Sequence, residues 1–149
     1  MEQESLDFAV TVSGTYWNKK PQFSIWLDSK VIIQTEISSE SPQTHKFTHT
    51  IDDGEHVLRI NLENKNDSDT LIVDGQVSKD MLLNIDNITI DDISLGQLLW
   101  SESTFLLDKP HLYHGKEITE LDNCVNLGWN GSYTLKFTSP YYIWLLEKL

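Results

Sequence analysis

Apolar and polar residues alternate along much of this chain, which is the pattern of β-strands with one buried face. The alternation is most regular over residues 6–13 and 55–63. The apolar residues that these two segments place on one face are Leu6, Phe8, Val10 and Val12 in the first and Leu58, Ile60 and Leu62 in the second. We predict that both segments are strands and that these faces lie in the core.

Weaker strand patterns follow at short intervals, separated by turn signals such as Asp52-Asp53-Gly54 and Asn130-Gly131. They cover residues 23–28, 31–37, 43–51, 95–100, 103–107 and 133–138. Segments with helical periodicity, which a parallel α/β sheet requires between its strands, are missing. The pattern therefore predicts an all-β, antiparallel sandwich, and the length of 149 residues suits a single domain over residues 1–149.

The longest run of strand-like residues lies within residues 64–95, after the turn signal Asp74-Gly75. Along this run Leu83 and Ile85 share one face, but the apolar positions then shift by one residue to Ile88 and Ile90. A shift of this kind indicates either a β-bulge or a break between two strands. Leu83 and Ile85 are expected in the core in both cases.

The last eleven residues differ in character from the rest. Ser139 and Pro140 resemble the start of a helix, and the apolar residues 141–149 that follow predict a short C-terminal helix. A C-terminal strand is the competing interpretation, because tyrosine, isoleucine and tryptophan favour sheets.

Charge and composition exclude several classes of function. The net charge is −12 and Arg59 is the only arginine, so the chain lacks the basic face on which nucleic-acid binding depends. The same charge disfavours anionic membranes and suits metal cations or neutral ligands. Cys124 is the only cysteine, which excludes an internal disulfide and a cysteine-rich zinc site.

Targeting signals give little further information. The N-terminal residues lack the basic and apolar regions of a signal peptide, and no apolar run reaches the roughly 20 residues of a membrane span. The compartment stays open, with a virion and a host cytoplasm as the alternatives that we consider.

Oxygen-rich side chains precede the long strand. Asp67, Asp69 and Asp80, with Asn64 as a weaker candidate, lie on either side of the Asp74-Gly75 turn. Calcium takes six to eight oxygen ligands of these kinds. We therefore predict that the four side chains converge on one calcium ion; the alternative is a solvated acidic loop.

Aromatic residues form a second group of candidates. Trp17 lies in a predicted loop, Trp26 is out of phase with its apolar neighbours, and Tyr113 follows a turn. Flat aromatic faces stack on sugar rings, so we predict that these three residues contact a ligand. The alternative is that they fill sheet interfaces, the role that we expect for Trp100, Trp129 and Trp144.

Catalytic signals are weak. The five histidines suit a solvated surface better than a zinc site, and adjacent carboxylates such as Asp91-Asp92 are expected by chance in so acidic a chain. We predict that the protein is not an enzyme.

Residues 54–93 resemble the calcium-dependent, xylan-binding carbohydrate-binding modules. The resemblance lies in Gly54-Glu55-His56, in the strand that runs to Asn64, and in residues 79–85 and 88–90, with Met81 where the family has arginine. It implies a β-sandwich of jelly-roll type that binds glycan without catalysis, through sugar hydroxyls coordinated to calcium.

The whole chain, including residues 123–137 and 139–149, also resembles small uncharacterised proteins of tailed phages of marine cyanobacteria. This second resemblance implies a virion or host-surface role, with the C-terminal helix as a docking element. Non-catalytic glycan binding is thus our first expectation. A structural or host-attachment protein of a phage, with a phage or host surface protein as its partner, is the alternative.

Overall fold

Two antiparallel sheets face each other across one buried layer in the computed structural model, which describes residues 2–149. The strands are β1 (Gln3–Thr15), β2 (Gln22–Leu27), β3 (Lys30–Glu36), β4 (Gln43–Asp52), β5 (Gly54–Leu62), β6 (Leu71–Val73), β7 (Gln76–Lys79), β8 (Leu82–Ile90), β9 (Ile93–Ser94), β10 (Ser103–Tyr113), β11 (Lys116–Asp122), β12 (Asn126–Leu127) and β13 (Gly131–Ser139). The helices are α1 (Leu98–Ser101), α2 (Tyr141–Lys148) and a 3-10 turn (Asp67–Asp69).

The first sheet has the order β12-β8-β1-β4, with β9 paired to β8, and the second has the order β11-β10-β13-β5-β2-β3. A separate hairpin joins β6 and β7. Phe8 of the first sheet contacts Phe137 of the second, with 6.3 Å between the ring centroids. The predicted all-β sandwich is therefore confirmed.

The buried layer is the one that the alternation predicts. The predicted core residues that the structure buries are Leu6, Phe8, Val10, Leu58, Ile60, Leu62, Leu83 and Ile85. Because successive side chains of a strand point to opposite faces, burial of these residues fixes the register of β1, β5 and β8.

A β-bulge explains the shift of apolar positions in the long strand. Thr11 of β1 pairs with Asn87, whereas its neighbour Val12 pairs with Ile85, so Asp86 is the extra residue. The bulge turns Ile88 and Ile90 back to the buried face. The strand β8 is continuous. Of the two predicted alternatives, the β-bulge is therefore confirmed and the break between two strands is wrong.

The C-terminal helix is confirmed as α2, which buries Tyr141, Trp144 and Leu145. The expectation of an extended segment over residues 95–100 is wrong in part, because Leu98–Ser101 forms a single helical turn after Gly96, whose φ of 55° ends the strand pairing. This turn leaves Trp100 46 % exposed, so its predicted core position is also wrong. Over residues 2–149 we find no helix that is both long enough and apolar enough to cross a membrane.

Asp69 is the one charged side chain among the described residues that is buried. Its carboxylate accepts hydrogen bonds from the Asn18 amide and the Asn66 N–H, each at 2.7 Å, and from the Lys19 ammonium at 2.9 Å. Burial raises the pKa of Asp69, but these hydrogen bonds and the charge of Lys19 outweigh burial, and the pKa lies below its usual value. The contacts fasten the loop after β5 to the loop after β1.

Replacing Ile60 by alanine tests the assignment of the core. Ile60 is fully buried between Ile25 and Tyr133 on the neighbouring strands, so the truncation should lower the free energy of unfolding by about 2–5 kcal/mol. Val73→Ala, at a half-exposed site of β6, should change it by less than about 0.5 kcal/mol. Urea unfolding measures both. A loss below about 1 kcal/mol for Ile60→Ala would contradict the assignment.

Asp69 should make stability depend on pH. Because its pKa is lower in the folded than in the unfolded chain, its contribution is complete above the usual value of 3.8 and is lost as the pH falls toward the folded pKa. Asp69→Asn should therefore lower the melting temperature at neutral pH and flatten its decline on acidification. Asp67→Asn, at an exposed neighbour, should keep the wild-type decline. An undiminished decline in Asp69→Asn would refute this role.

Candidate functional site

A cleft of about 750 Å³ opens beside the end of β5, the start of β13 and the middle of β10. Gly131 at the start of β13 pairs with Leu62 at the end of β5 and with Leu107 of β10. The residues just beyond these positions therefore come together, although they are far apart in sequence. The residues that line the cleft are Lys65, Asn66, Asp67, Thr70, Asp108, Lys109, His111, Trp129 and Asn130, with Ile72 of the β6–β7 hairpin at its side.

Two aromatic rings form one wall of the cleft. The His111 imidazole stacks on the Trp129 indole, with 4.7 Å between centroids and 15° between planes. Burial and the nearby charge of Lys109 lower the pKa of His111, which favours the neutral form of the ring. Tyr113 meets the Trp129 ring edge-on at 6.2 Å. The wall is thus an aromatic surface beside a polar cleft.

Asn130 holds this wall against the loop after β5. Its side-chain oxygen accepts the Lys65 N–H at 2.7 Å, and its side-chain nitrogen donates to the Lys65 carbonyl at 2.8 Å. These bonds satisfy both backbone groups of Lys65 at a position where no strand partner is available. Trp129, the preceding residue, is positioned as a consequence.

The Lys65 side chain lies beneath the cleft and is 9 % exposed. Its ammonium donates to the Asp80 carboxylate at 2.7 Å and to the Gly128 carbonyl at 2.6 Å. The same Asp80 oxygen accepts the Thr70 hydroxyl at 2.7 Å and the Met81 N–H at 2.8 Å. Burial raises the pKa of Asp80, but the hydrogen bonds from Lys65, Thr70 and Met81 and the charge of Lys65 outweigh burial, so the pKa is lowered.

The four predicted calcium ligands do not share one centre. Asp69 is bonded to Lys19, and Asp80 to Lys65. Asn64 accepts the Gln22 N–H at 2.8 Å and donates to the Lys20 carbonyl at 3.0 Å, which ties β5 to the residues before β2. Asp67 is exposed and lines the cleft.

A calcium ion does not fit this set as it stands. Ammonium groups already neutralise two of the three carboxylates, whereas calcium needs six to eight oxygen ligands. Within the described part of the chain, residues 2–149, no three or more histidine, cysteine, aspartate or glutamate side chains are grouped so that they could hold a metal ion.

The three predicted aromatic contacts lie at different places. Tyr113 is 43 % exposed and borders the cleft through Trp129. Trp17 is 40 % exposed, but its indole N–H donates to the Asp69 carbonyl at 2.8 Å and the Lys79 ammonium lies 5.4 Å from its ring centre. Trp26 is partly buried and donates to Ser24. Trp17 and Trp26 are both partly exposed, and the structure brings neither into the cleft.

Sequence reasoning missed the residues that form the cleft wall. We predict a core position for Trp129, and it does pack against the core, but it is only partly buried and also lines the cleft. His111, which we predict on a solvated surface, lines the cleft beside it. Trp144, in contrast, is buried as predicted. The available signal was the Asn-Gly turn after Trp129, because residues that flank tight turns at a strand end lie at the rim of a sandwich.

Two solved structures share this fold. One is titled "vCBM60 in complex with galactobiose"; it matches with a TM-score of 0.55 and 11 % identity, and covers 87 % of this chain and 96 % of that one. The other is a selenomethionine form of vCBM60, from work on a circular permutation that links two families of calcium-dependent carbohydrate-binding modules. It matches with a TM-score of 0.54 and 13 % identity, and covers 87 % of this chain and 89 % of that one. We find no match among curated proteins.

The sequence itself matches a family model. The model describes a calcium-dependent, xylan-binding carbohydrate-binding module (CBM60), and it matches residues 7–98, which is more than half of the chain. The matched segment begins in β1 and ends in α1, and includes the loop that carries Lys65 and Asp69. The chain therefore belongs to the family of calcium-dependent, xylan-binding carbohydrate-binding modules.

Proposed function

We propose that this chain binds a neutral glycan, without catalysis, in the cleft beside Trp129. The stacked His111–Trp129 pair carries the proposal, because it places a flat aromatic wall next to polar side chains in a space of about 750 Å³. The apolar face of a pyranose ring packs on such a wall. Membership of a carbohydrate-binding family makes a sugar the ligand that suits this surface best.

Other polar groups that line the cleft suit sugar hydroxyls. Asp67 and Asp108 are exposed and line the cleft, and Asn66 lies beside Asp67. Carboxylates accept hydrogen bonds from hydroxyl groups, and such bonds are shorter and stronger than those between neutral groups. We propose that these oxygens orient the glycan after the aromatic wall has bound its ring.

The charge of the protein favours a neutral glycan. A net charge of −12 repels anionic polysaccharides such as those rich in uronic acid or sulfate. The matched family is described as xylan-binding, and the solved structure with a bound sugar holds galactobiose. Neutral oligosaccharides of xylose and galactose are therefore the first ligands to test.

Direct contact with the side chains, without calcium, is the mode that we propose for this cleft. Of the four predicted metal ligands, only Asp67 lines it. The virion or host-attachment role remains a separate prediction, and a protein in that role need not bind any sugar. A glycan array distinguishes the two proposals, because a pure scaffold should give no hit.

Trp129→Ala tests the proposed site. Loss of the aromatic wall should weaken binding of a neutral oligosaccharide at least about tenfold, equivalent to about 1.4 kcal/mol, while Trp129→Phe should retain most of the affinity. Trp100→Ala is the matched control, since Trp100 is exposed on α1 and does not line the cleft. Isothermal titration calorimetry measures the affinities, and melting curves confirm that each variant is folded.

Unchanged affinity in a folded Trp129→Ala variant would exclude this cleft. No heat with any xylose or galactose oligosaccharide, together with an empty glycan array, would refute glycan binding itself.

Variants of Tyr113 and Trp17 distinguish residues that contact the glycan from residues that only stabilise the fold. Tyr113→Ala should weaken binding by less than Trp129→Ala, because Tyr113 only borders the cleft through the Trp129 edge. Trp17→Ala should lower the melting temperature, because Trp17 holds the Asp69 carbonyl, and should affect affinity less than Trp129→Ala. A larger loss of affinity from Trp17→Ala, with unchanged stability, would move the site to the Trp17 loop.

A further inference from the structure

Lys65 joins three parts of the chain that are distant in sequence. Its backbone bonds to Asn130, and its ammonium bonds to Asp80 and to the Gly128 carbonyl. Lys65 lies in the loop after β5, Asp80 lies between β7 and β8, and Gly128 and Asn130 lie in the segment between β12 and β13. A bound metal ion in a loop-rich region makes the same kind of connection, because it draws oxygen ligands from several segments to one positive charge.

We infer that the Lys65 ammonium has the structural role of a bound cation in this chain. The loop over residues 64–70 is therefore ordered without calcium. The ammonium lies between a carboxylate at 2.7 Å and a carbonyl oxygen at 2.6 Å, and the Lys65 side chain is 9 % exposed. Carboxylate and carbonyl oxygens are also what calcium binds. Here the covalently attached cation occupies the place between them.

The second carboxylate of the loop is satisfied in the same way. Asp69 has its ammonium partner in Lys19 at 2.9 Å, and its remaining acceptor capacity is taken by Asn18 and the Asn66 N–H. Added calcium would compete with a charged hydrogen-bond donor at either carboxylate. The ammonium partners of Asp69 and Asp80 therefore argue against a calcium site built on these two carboxylates, in a family that is described as calcium-dependent.

Lys65 also positions the aromatic wall. The Gly128 carbonyl that it holds is one residue before Trp129, and the Asn130 side chain that holds its backbone is one residue after. Loss of the ammonium should thus loosen both the loop and the Trp129 turn. The inference concerns order in the unliganded chain, and it stands whether or not a glycan binds.

Thermal melting of the wild-type chain gives the first test. We expect the same melting temperature in chelator and in millimolar calcium, because the Lys65 and Lys19 ammoniums already neutralise the two carboxylates. A rise of more than about 3 °C in calcium, equivalent to about 1 kcal/mol for a chain of this length, would overturn the inference. Calcium heat in a titration calorimeter at a tight site would overturn it equally.

Lys65→Met supplies the second test, because methionine keeps an unbranched apolar side chain but lacks the charge. The variant should melt at least about 5 °C lower than wild type in both buffers, since Asp80 is left without its cation. Lys116→Met is the control, because Lys116 is exposed on β11 and bears no such contact in residues 2–149. A Lys65→Met variant that melts like wild type would refute the role.

Chemical rescue distinguishes the effect of the Lys65 ammonium from the packing of the rest of the Lys65 side chain. Lys65→Ala should regain part of its lost melting temperature in methylammonium chloride, and not in tetramethylammonium chloride at the same ionic strength, because only methylammonium can donate hydrogen bonds to Asp80 and the Gly128 carbonyl. Equal melting temperatures in the two salts would overturn the assignment of a cation niche.

Discussion

A carboxylate can leave water at the edge of a β-sandwich only if hydrogen-bond donors and an opposite charge surround it. The irregular segment between β5 and β8 depends on this constraint at two positions. Asp69 and Asp80 each combine an ammonium partner with backbone and side-chain donors. The resulting contacts connect the loop after β1, the loop after β5 and the turn before β13, and the cleft lies on top of them.

The sandwich could be predicted because its determinants are local. Alternation fixes which face of β1, β5 and β8 is buried, and the single slip in β8 becomes a bulge at Asp86 once β1 supplies the register. The helical turn at Leu98–Ser101 could not be predicted in this way, because its short apolar sequence suits a strand equally well. Gly96, just before this turn, has a φ of 55°, which lies outside the range of a strand.

The candidate site was much harder to predict, because its parts meet only through strand pairing. Lys65 follows β5, Trp129 precedes β13 and His111 lies within β10, and their proximity follows from the order β10-β13-β5. Residue type alone is misleading here, because Asp69, which the sequence suggests as a metal ligand, is buried and holds two loops together. Composition identifies carboxylates, but it does not reveal that Lys19 and Lys65 neutralise two of them.

Family membership and local chemistry thus give different kinds of information. The family identifies carbohydrate as the class of ligand, whereas the contacts around Lys65 bear on how this chain orders the loop beneath its cleft. In our proposal, a lysine ammonium replaces calcium as the positive charge that orders the loop, while the sandwich scaffold of the family is retained. The aromatic wall and the exposed carboxylate oxygens then make the contacts with the sugar.

Nuclear magnetic resonance of the five tryptophan indole N–H groups tests the central claim most directly. The labelled protein is titrated with a neutral xylose or galactose oligosaccharide in the presence of chelator. The account predicts that the Trp129 indole signal and the Asn130 side-chain amide shift with saturation, while the Trp17, Trp26 and Trp144 indoles stay in place. Shifts confined to Trp17 or Trp26, or binding that appears only when calcium is added, would contradict it.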